Sequence, residues 1–158
     1  MGRKWSARVV GGLVVFVVIG YLLSMTFSAP ELVNGKTAKL KLDTATVTVT
    51  VAGSDAARSK GLGGRTSLPD GQGLVFVFDS PTQPMFWMKG VSFPIDIIWV
   101  NGNTITEVTA NVPPAPAGVP DEQLPKYQPA GPINRAVEVP AGWAAKHNIQ
   151  PGDPFSVL

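Results

Sequence analysis

Apolar and polar positions alternate with a period of two along much of this chain. Leu40 and Leu42 share one face of a run at 38–42, and Val47, Val49 and Val51 share a face of a run at 46–51. Such alternation predicts two half-buried strands, with 43–45 as the hairpin turn between them. The continuous apolar run from Leu74 to Phe78 predicts a strand buried on both faces. Another strand is predicted at 95–100, and Asn101-Gly102 is a hairpin signal leading into a further one at 104–110. Strands are also predicted at 133–139 and, after the turn Gln150-Pro151-Gly152-Asp153, at the end of 149–158. Helical signals are short. Ser54 ahead of Asp55, Ala56 and Ala57 reads as an N-cap, Gly61, Gly63 and Gly64 end that helix, and a second short helix is predicted at 141–148. Together these make about eight short strands and two short helices, a mostly β (α+β) domain built as a small barrel or a strongly curved antiparallel sheet.

Two stretches depart from that rhythm. From Val9 to Ala29 the chain is almost wholly apolar and carries no charge, and Arg3, Lys4 and Arg8 precede it. Roughly 20 such residues span a bilayer as a helix, and the basic flank places the N-terminus in the cytoplasm. The alternative is a cleaved signal peptide, whose apolar region runs ~7–15 residues, with a cleavage site near Thr26 and Ser28. Either reading exports the domain: a single-pass membrane protein with its domain outside, or a secreted protein if the segment is removed. The second departure is the proline-rich connection at 112–132, long enough to be a lid or a disordered loop. The organisation is then a basic flank at 1–8, a membrane anchor at 9–29, a polar linker at 30–37 and one domain at 38–158.

Composition removes several classes of function. There is no cysteine, so disulfides and thiolate metal sites are excluded, and His147 is the only histidine, so no metal site or cofactor is expected. The net charge of +2 is a property of the N-terminal flank: without its three basic residues, 10 basic residues face 11 acidic ones. Charge therefore gives no support to a nucleic-acid partner.

The candidate chemistry centres on 85–100, M-F-W-M-K-G-V-S-F-P-I-D-I-I-W-V, where apolar and aromatic residues crowd Lys89 and Asp96. Burying either charge without a partner is costly, so each needs a counter-ion, water or a task. A lysine desolvated by Trp87 and Phe86 would serve as base or nucleophile; the structural alternative is a buried pair of Asp96 with Lys89 or Arg65, or Asp96 capping the turn at Pro94. Glu107 and Glu138 lie in predicted strands and could pair with Asp96 as two carboxylates. Arg58 and Arg65 bracket R-S-K-G-L-G-G-R, which would suit a small anion or, structurally, simply end a helix and tie loops together. No G-x-S-x-G occurs, and the single His147 makes a hydrolytic triad a poor fit. Trp87, Trp99 and Phe86 could stack on a sugar or fill the core, and Tyr127 lies in the proline-rich loop where it could make a surface contact.

The segments A-R-S-K-G-L-G-G-R (57–65), L-P-D-G-Q-G-L-V-F-V-F (68–78), F-W-M-K-G-V-S-F-P-I-D-I-I-W-V (86–100), V-E-V-P-A-G and I-Q-P-G-D resemble, in order and spacing, the "domain of unknown function 192" family over 39–158. The resemblance implies a small prokaryotic protein behind a signal peptide or anchor. It maps typical family residues onto Arg58, Gly61, Leu62, Arg65, Gly73, Phe76, Trp87, Met88, Lys89, Pro94, Asp96, Glu138 and Gly142. The chain departs from the pattern at Gly63, Leu74 and Gly90, the last removing a polar side chain beside Lys89.

Three functions stand against one another. The first is a binding or accessory module for an envelope ligand, a glycan or a small anion, held by Arg58, Arg65, Trp87, Lys89 and Asp96. The second is a hydrolase using Asp96 with Glu138 or Lys89. The third is a structural domain whose charges only specify the fold.

Overall fold

The structure, a computed structural model, describes residues 30–158. The basic flank and the apolar run at 9–29 lie outside the described residues. Among the described residues no helix is long and apolar enough to cross a membrane.

The alternation at the start of the domain folds into a hairpin. Strand β1 (Thr37–Leu42) pairs antiparallel with β2 (Ala45–Ala52), setting Leu40 opposite Val47 and Leu42 opposite Ala45. Helix α1 (Asp55–Lys60) follows, capped as its sequence predicts: the Ser54 hydroxyl accepts the Ala57 N–H at 3.2 Å. Gly61 ends it at φ +49, a conformation costly for a residue with a Cβ. Strand β3 (Gln72–Thr82) then runs parallel to β2, with Val51 beside Val75. The expected sheet was antiparallel throughout; the helix at 55–60 carries a crossover that returns the chain to the same end, and that makes this one pair parallel.

Strands β4 (Ile95–Asn101) and β5 (Thr104–Val112) form the expected hairpin, and β6 (Ile133–Pro140) pairs antiparallel with both β3 and β4. After a four-residue helix α2 (Trp143–Lys146), β7 (Phe155–Val157) pairs with β1. The seven strands lie in the order β5-β4-β6-β3-β2-β1-β7. The sheet curls until its edges touch at one end, where Thr104 bridges Pro154 and the Phe155 N–H reaches the Asn103 carbonyl at 2.8 Å. The result is a strongly curved half-barrel with two short helices.

Both faces of the sheet are buried, each by its own core. On β4, Ile98 and Val100 face the concave side with Leu40, Val47, Val75 and Phe155, whereas Ile95, Ile97 and Trp99 face the other side with Leu62, Phe76, Phe86 and Met88. That two-sided burial explains why β4 reads as an unbroken apolar run. The second core is covered by the segment 83–94 and by the proline-rich connection. This connection is tied down at several points: Phe86 and Tyr127 exchange two backbone hydrogen bonds of 2.8 and 2.9 Å, and Leu124 is buried. The Gln83 side chain donates to the Pro129 and Ala130 carbonyls, and Glu107 accepts the Ala130 N–H at 2.8 Å.

Gly73 shows how closely the strands approach beside the site. A Cβ there would meet the Glu138 carbonyl oxygen at 2.6 Å and Val49 Cγ1 at 3.2 Å. Both neighbours are held within the sheet, so Gly73→Ala is expected to cost about 1–3 kcal/mol. Urea unfolding of the domain would measure it as a lower midpoint at unchanged slope.

Candidate functional site

The residues from Pro84 to Met88 run extended, so their side chains alternate: Phe86 and Met88 enter the core, while Met85 and Trp87 face outward, as does Lys89 in the turn that follows. This segment, helix α1 and strand β6 enclose a pocket of about 420 Å³. It is lined by the buried or half-buried Leu62, Phe76, Phe78, Phe86 and Val91, and its more open edge carries Asp55, Arg58, Lys60, Met85, Trp87 and Lys89. Phe86 stands edge-on to both Phe76 and Trp99, with centroid distances of 4.7 and 5.0 Å, which fixes the inner wall.

Glu138 lies in the lining of this apolar cup. It projects from β6 on the face shared with Ile97, is 5% exposed, and its Oε2 is buried without any hydrogen-bond partner. Burial pushes its pKa up to about 8, against an opposing pull from the positive charge of Arg65. At neutral pH the group is therefore mostly a neutral acid, able to donate one hydrogen bond and to accept others.

The structure does not bring Asp96 to this pocket. In the β4–β6 register Asp96 lies beside Val139 and Glu138 beside Ile97, so the two carboxylates sit on opposite faces of the sheet. Asp96 is fully buried and accepts three backbone N–H groups: Asn111 at 2.8 Å, Gly142 at 3.1 Å and Ala144 at 3.0 Å. The expectation of Asp96 as a catalytic partner of Glu138 or Lys89, or as a ligand contact, is thus corrected. It is a long-range N-cap for α2, whose own Ncap residue is Gly142 and has no side chain to offer.

Lys89 is also placed differently from the expected desolvated amine. Its side chain is half exposed, pairs with Asp121 at 2.5 Å and lies 5.4 Å from the Trp87 ring centroid. Arg58 lines the pocket but is committed to structure: it donates to the Gly53 and Val77 carbonyls at 2.6 and 2.7 Å and pairs with Asp55. Arg65, expected among the ligand contacts, is not in the pocket lining and bears on Glu138 through its charge. The glycine-rich turn serves close packing: Gly64 N–H reaches the Gly90 carbonyl at 3.0 Å, and a Cβ on Gly63 would meet the Lys60 carbonyl at 2.9 Å. Glu107 holds the proline-rich strap, Tyr127 bridges Phe86, and His147 stacks on Trp143 at 4.4 Å. Trp99 is core. Among the described residues no group of three His, Cys, Asp or Glu side chains could hold a metal ion.

Sequence reasoning missed the pocket's outer parts, namely Phe78, Met85 and Lys60, and beside them Lys126, whose amine lies 3.7 Å from the Trp87 centroid. A period-2 reading of 85–88 would have found Met85 beside Trp87. Nothing local in the sequence marks Lys126, which arrives from the strap.

Fold and pocket together define a small, mostly β half-barrel domain with a lone buried acid lining an aromatic cup. Residues 38–157 match the DUF192 family model, described as "Uncharacterized ACR", and the chain belongs to that family. No curated protein matches it. Two solved structures share the fold. One, from Sinorhizobium meliloti 1021, is described as a "putative transcription regulator"; it is 24% identical, with a TM-score of 0.70 over 79% of this chain and 96% of that one. The other is a protein of unknown function from Novosphingobium aromaticivorans DSM 12444, 26% identical, with a TM-score of 0.67 over 82% of this chain and 94% of that one.

Proposed function

We propose that this protein is a binding module whose Glu138 pocket takes a sugar unit of a cell-envelope glycan, with the domain held outside the membrane by the apolar segment at 9–29. The observation that carries this reading is the unpartnered Glu138 carboxyl in an aromatic-walled pocket. A buried polar group without a partner costs stability, and a ligand hydroxyl supplies that partner. The rings of Phe76, Phe86 and Trp87 offer apolar faces against which a sugar ring can pack. A small anion fits less well, because Arg58 in the pocket lining is committed to two carbonyls and Asp55, and Lys89 to Asp121. The regulator description belongs to the Sinorhizobium protein, which at 24% identity supports the shared fold alone.

Titrating the domain with a soluble peptidoglycan disaccharide or a chito-oligosaccharide tests the proposal by amide NMR. Shifts should concentrate at Phe76, Phe86, Trp87 and Glu138, and Trp87→Ala should weaken binding about tenfold. Shifts absent for both sugars, or confined to other surfaces, would overturn it.

A further inference from the structure

Trp87 and Met85 stand at the pocket rim, 40% and 63% exposed, and Val33 and Leu158 are the only other large apolar side chains as open among the described residues. They are two residues apart on one extended segment and line one cavity. Around them are amines. Lys126 lies over the Trp87 ring, Lys60 lines the same pocket, and neither makes an ion pair among the described residues, whereas Lys89 is neutralised by Asp121. Two protruding apolar tips with lysines beside them have the composition of an interfacial contact: an indole in the headgroup region and ammonium groups on anionic lipid.

The linker at 30–37 gives the second, independent argument. It is docked on the domain instead of hanging free. Leu32 packs against the concave core, the Gly35 N–H reaches the Val51 carbonyl at 2.8 Å, and Asn34 Oδ1 accepts both the Gly53 and Ser54 N–H groups. Only Pro30 and Glu31 separate Ala29 from this docked stretch, a reach of about 10 Å. The docked linker meets the chain where α1 begins, and α1 is about 9 Å long and ends at Lys60 on the pocket rim. A membrane anchor ending at Ala29 would hold this rim close to the bilayer.

We propose that the face formed by Met85, Trp87, Lys60 and Lys126 docks on an anionic lipid surface, turning the mouth of the Glu138 pocket toward the headgroups. The tether argument rests on the anchored reading of 9–29; the exposed tips and unpaired lysines do not. A protein partner is the weaker occupant, because isolated tips do not form the broad apolar patch that such an interface buries.

The test uses residues 30–158, since the domain makes up 94–96% of the two solved relatives, which fold without a further domain. In this fragment Trp87 is the exposed tryptophan, with Trp99 and Trp143 buried, so a change in emission reports on the proposed face. With phosphatidylglycerol vesicles, the emission should shift to the blue and the protein should float with the lipid. Phosphatidylcholine vesicles should capture far less. Lys126→Ala should weaken capture about fivefold. The double variant Met85→Ser, Trp87→Ser should lose it at least tenfold while keeping the wild-type melting temperature. No flotation of the wild type, flotation undiminished in the double variant, or a blue shift that tracks self-association in sedimentation without lipid would each overturn the proposal. Because the fragment lacks 9–29, failure here is separate from failure of the anchor, which membrane fractionation of the full chain reads, and from failure of the sugar titration.

Discussion

Asp96→Ala should lower the melting temperature of the domain by roughly 10–20 °C, the largest loss expected for any charged residue of the central stretch. The carboxylate is fully buried and accepts N–H groups from three separate places: Asn111 at the end of β5, Gly142 before α2, and Ala144 inside it. Truncation leaves all three donors without their acceptor, the Ala144 N–H in a fully buried position and the other two partly buried. Each orphaned donor costs about 1–3 kcal/mol, and loss of an N-cap alone costs ~1 kcal/mol. Partial relaxation brings the total to about 3–5 kcal/mol, a large share of the ~5–15 kcal/mol that holds a domain of this size together. Asp96→Asn should fall in between, because its amide keeps one oxygen but turns a donor toward a donor. Lys89→Ala is the contrast. Its exposed pair with Asp121 should contribute about 0–1 kcal/mol, and calorimetry on the three variants would show the ordering. A small effect of Asp96→Ala would mean that the cap is dispensable and would reopen a functional role for this carboxylate.

That ordering shows where the sequence was readable. Pattern alone carried the strands: the alternation of Val47, Val49 and Val51 and the solid run at 95–100 report burial on one and on two faces respectively, and burial is a local signal. Turn chemistry did the same for Ser54 and Gly102. The site was less legible because its parts meet only through the sheet and the strap. Asp96 and Glu138 look equivalent in sequence, each a carboxylate in an apolar strand, but the β4–β6 register sends them to opposite faces. Register is a property of two strands, and no single stretch contains it. Likewise α2 begins at a glycine and shows no cap of its own, because the cap comes from β4. The parallel β2–β3 pair followed from a helix that was legible, but its consequence for strand direction is topological.

Glu138→Gln should stabilise the domain, and by an amount that depends on pH. In the unfolded chain this carboxyl ionises near the ordinary glutamate value of 4.5; in the folded protein burial holds it neutral up to about 8. Between those values the unfolded state binds fewer protons than the native state, so stability falls as pH rises. The slope is about 1.4 kcal/mol per pH unit at most. Below pH 4.5 both states carry the proton and the penalty vanishes; above pH 8 both have lost it and the penalty is constant. Glutamine has the same shape, cannot ionise and is indifferent to the whole range. The difference in melting temperature between Glu138→Gln and wild type should therefore be near zero at pH 4.5, grow steadily through neutrality and level off beyond pH 8. Arg65→Gln should carry the wild-type decline on to higher pH, because it removes the positive charge that opposes the effect of burial. A difference that stays flat with pH would mean that the acid gains a partner as it ionises, and the case for a vacant, ligand-directed carboxyl would fall. A rising difference shows a residue that costs the fold stability while occupying a pocket wall, and proteins keep such residues where a bound partner repays them.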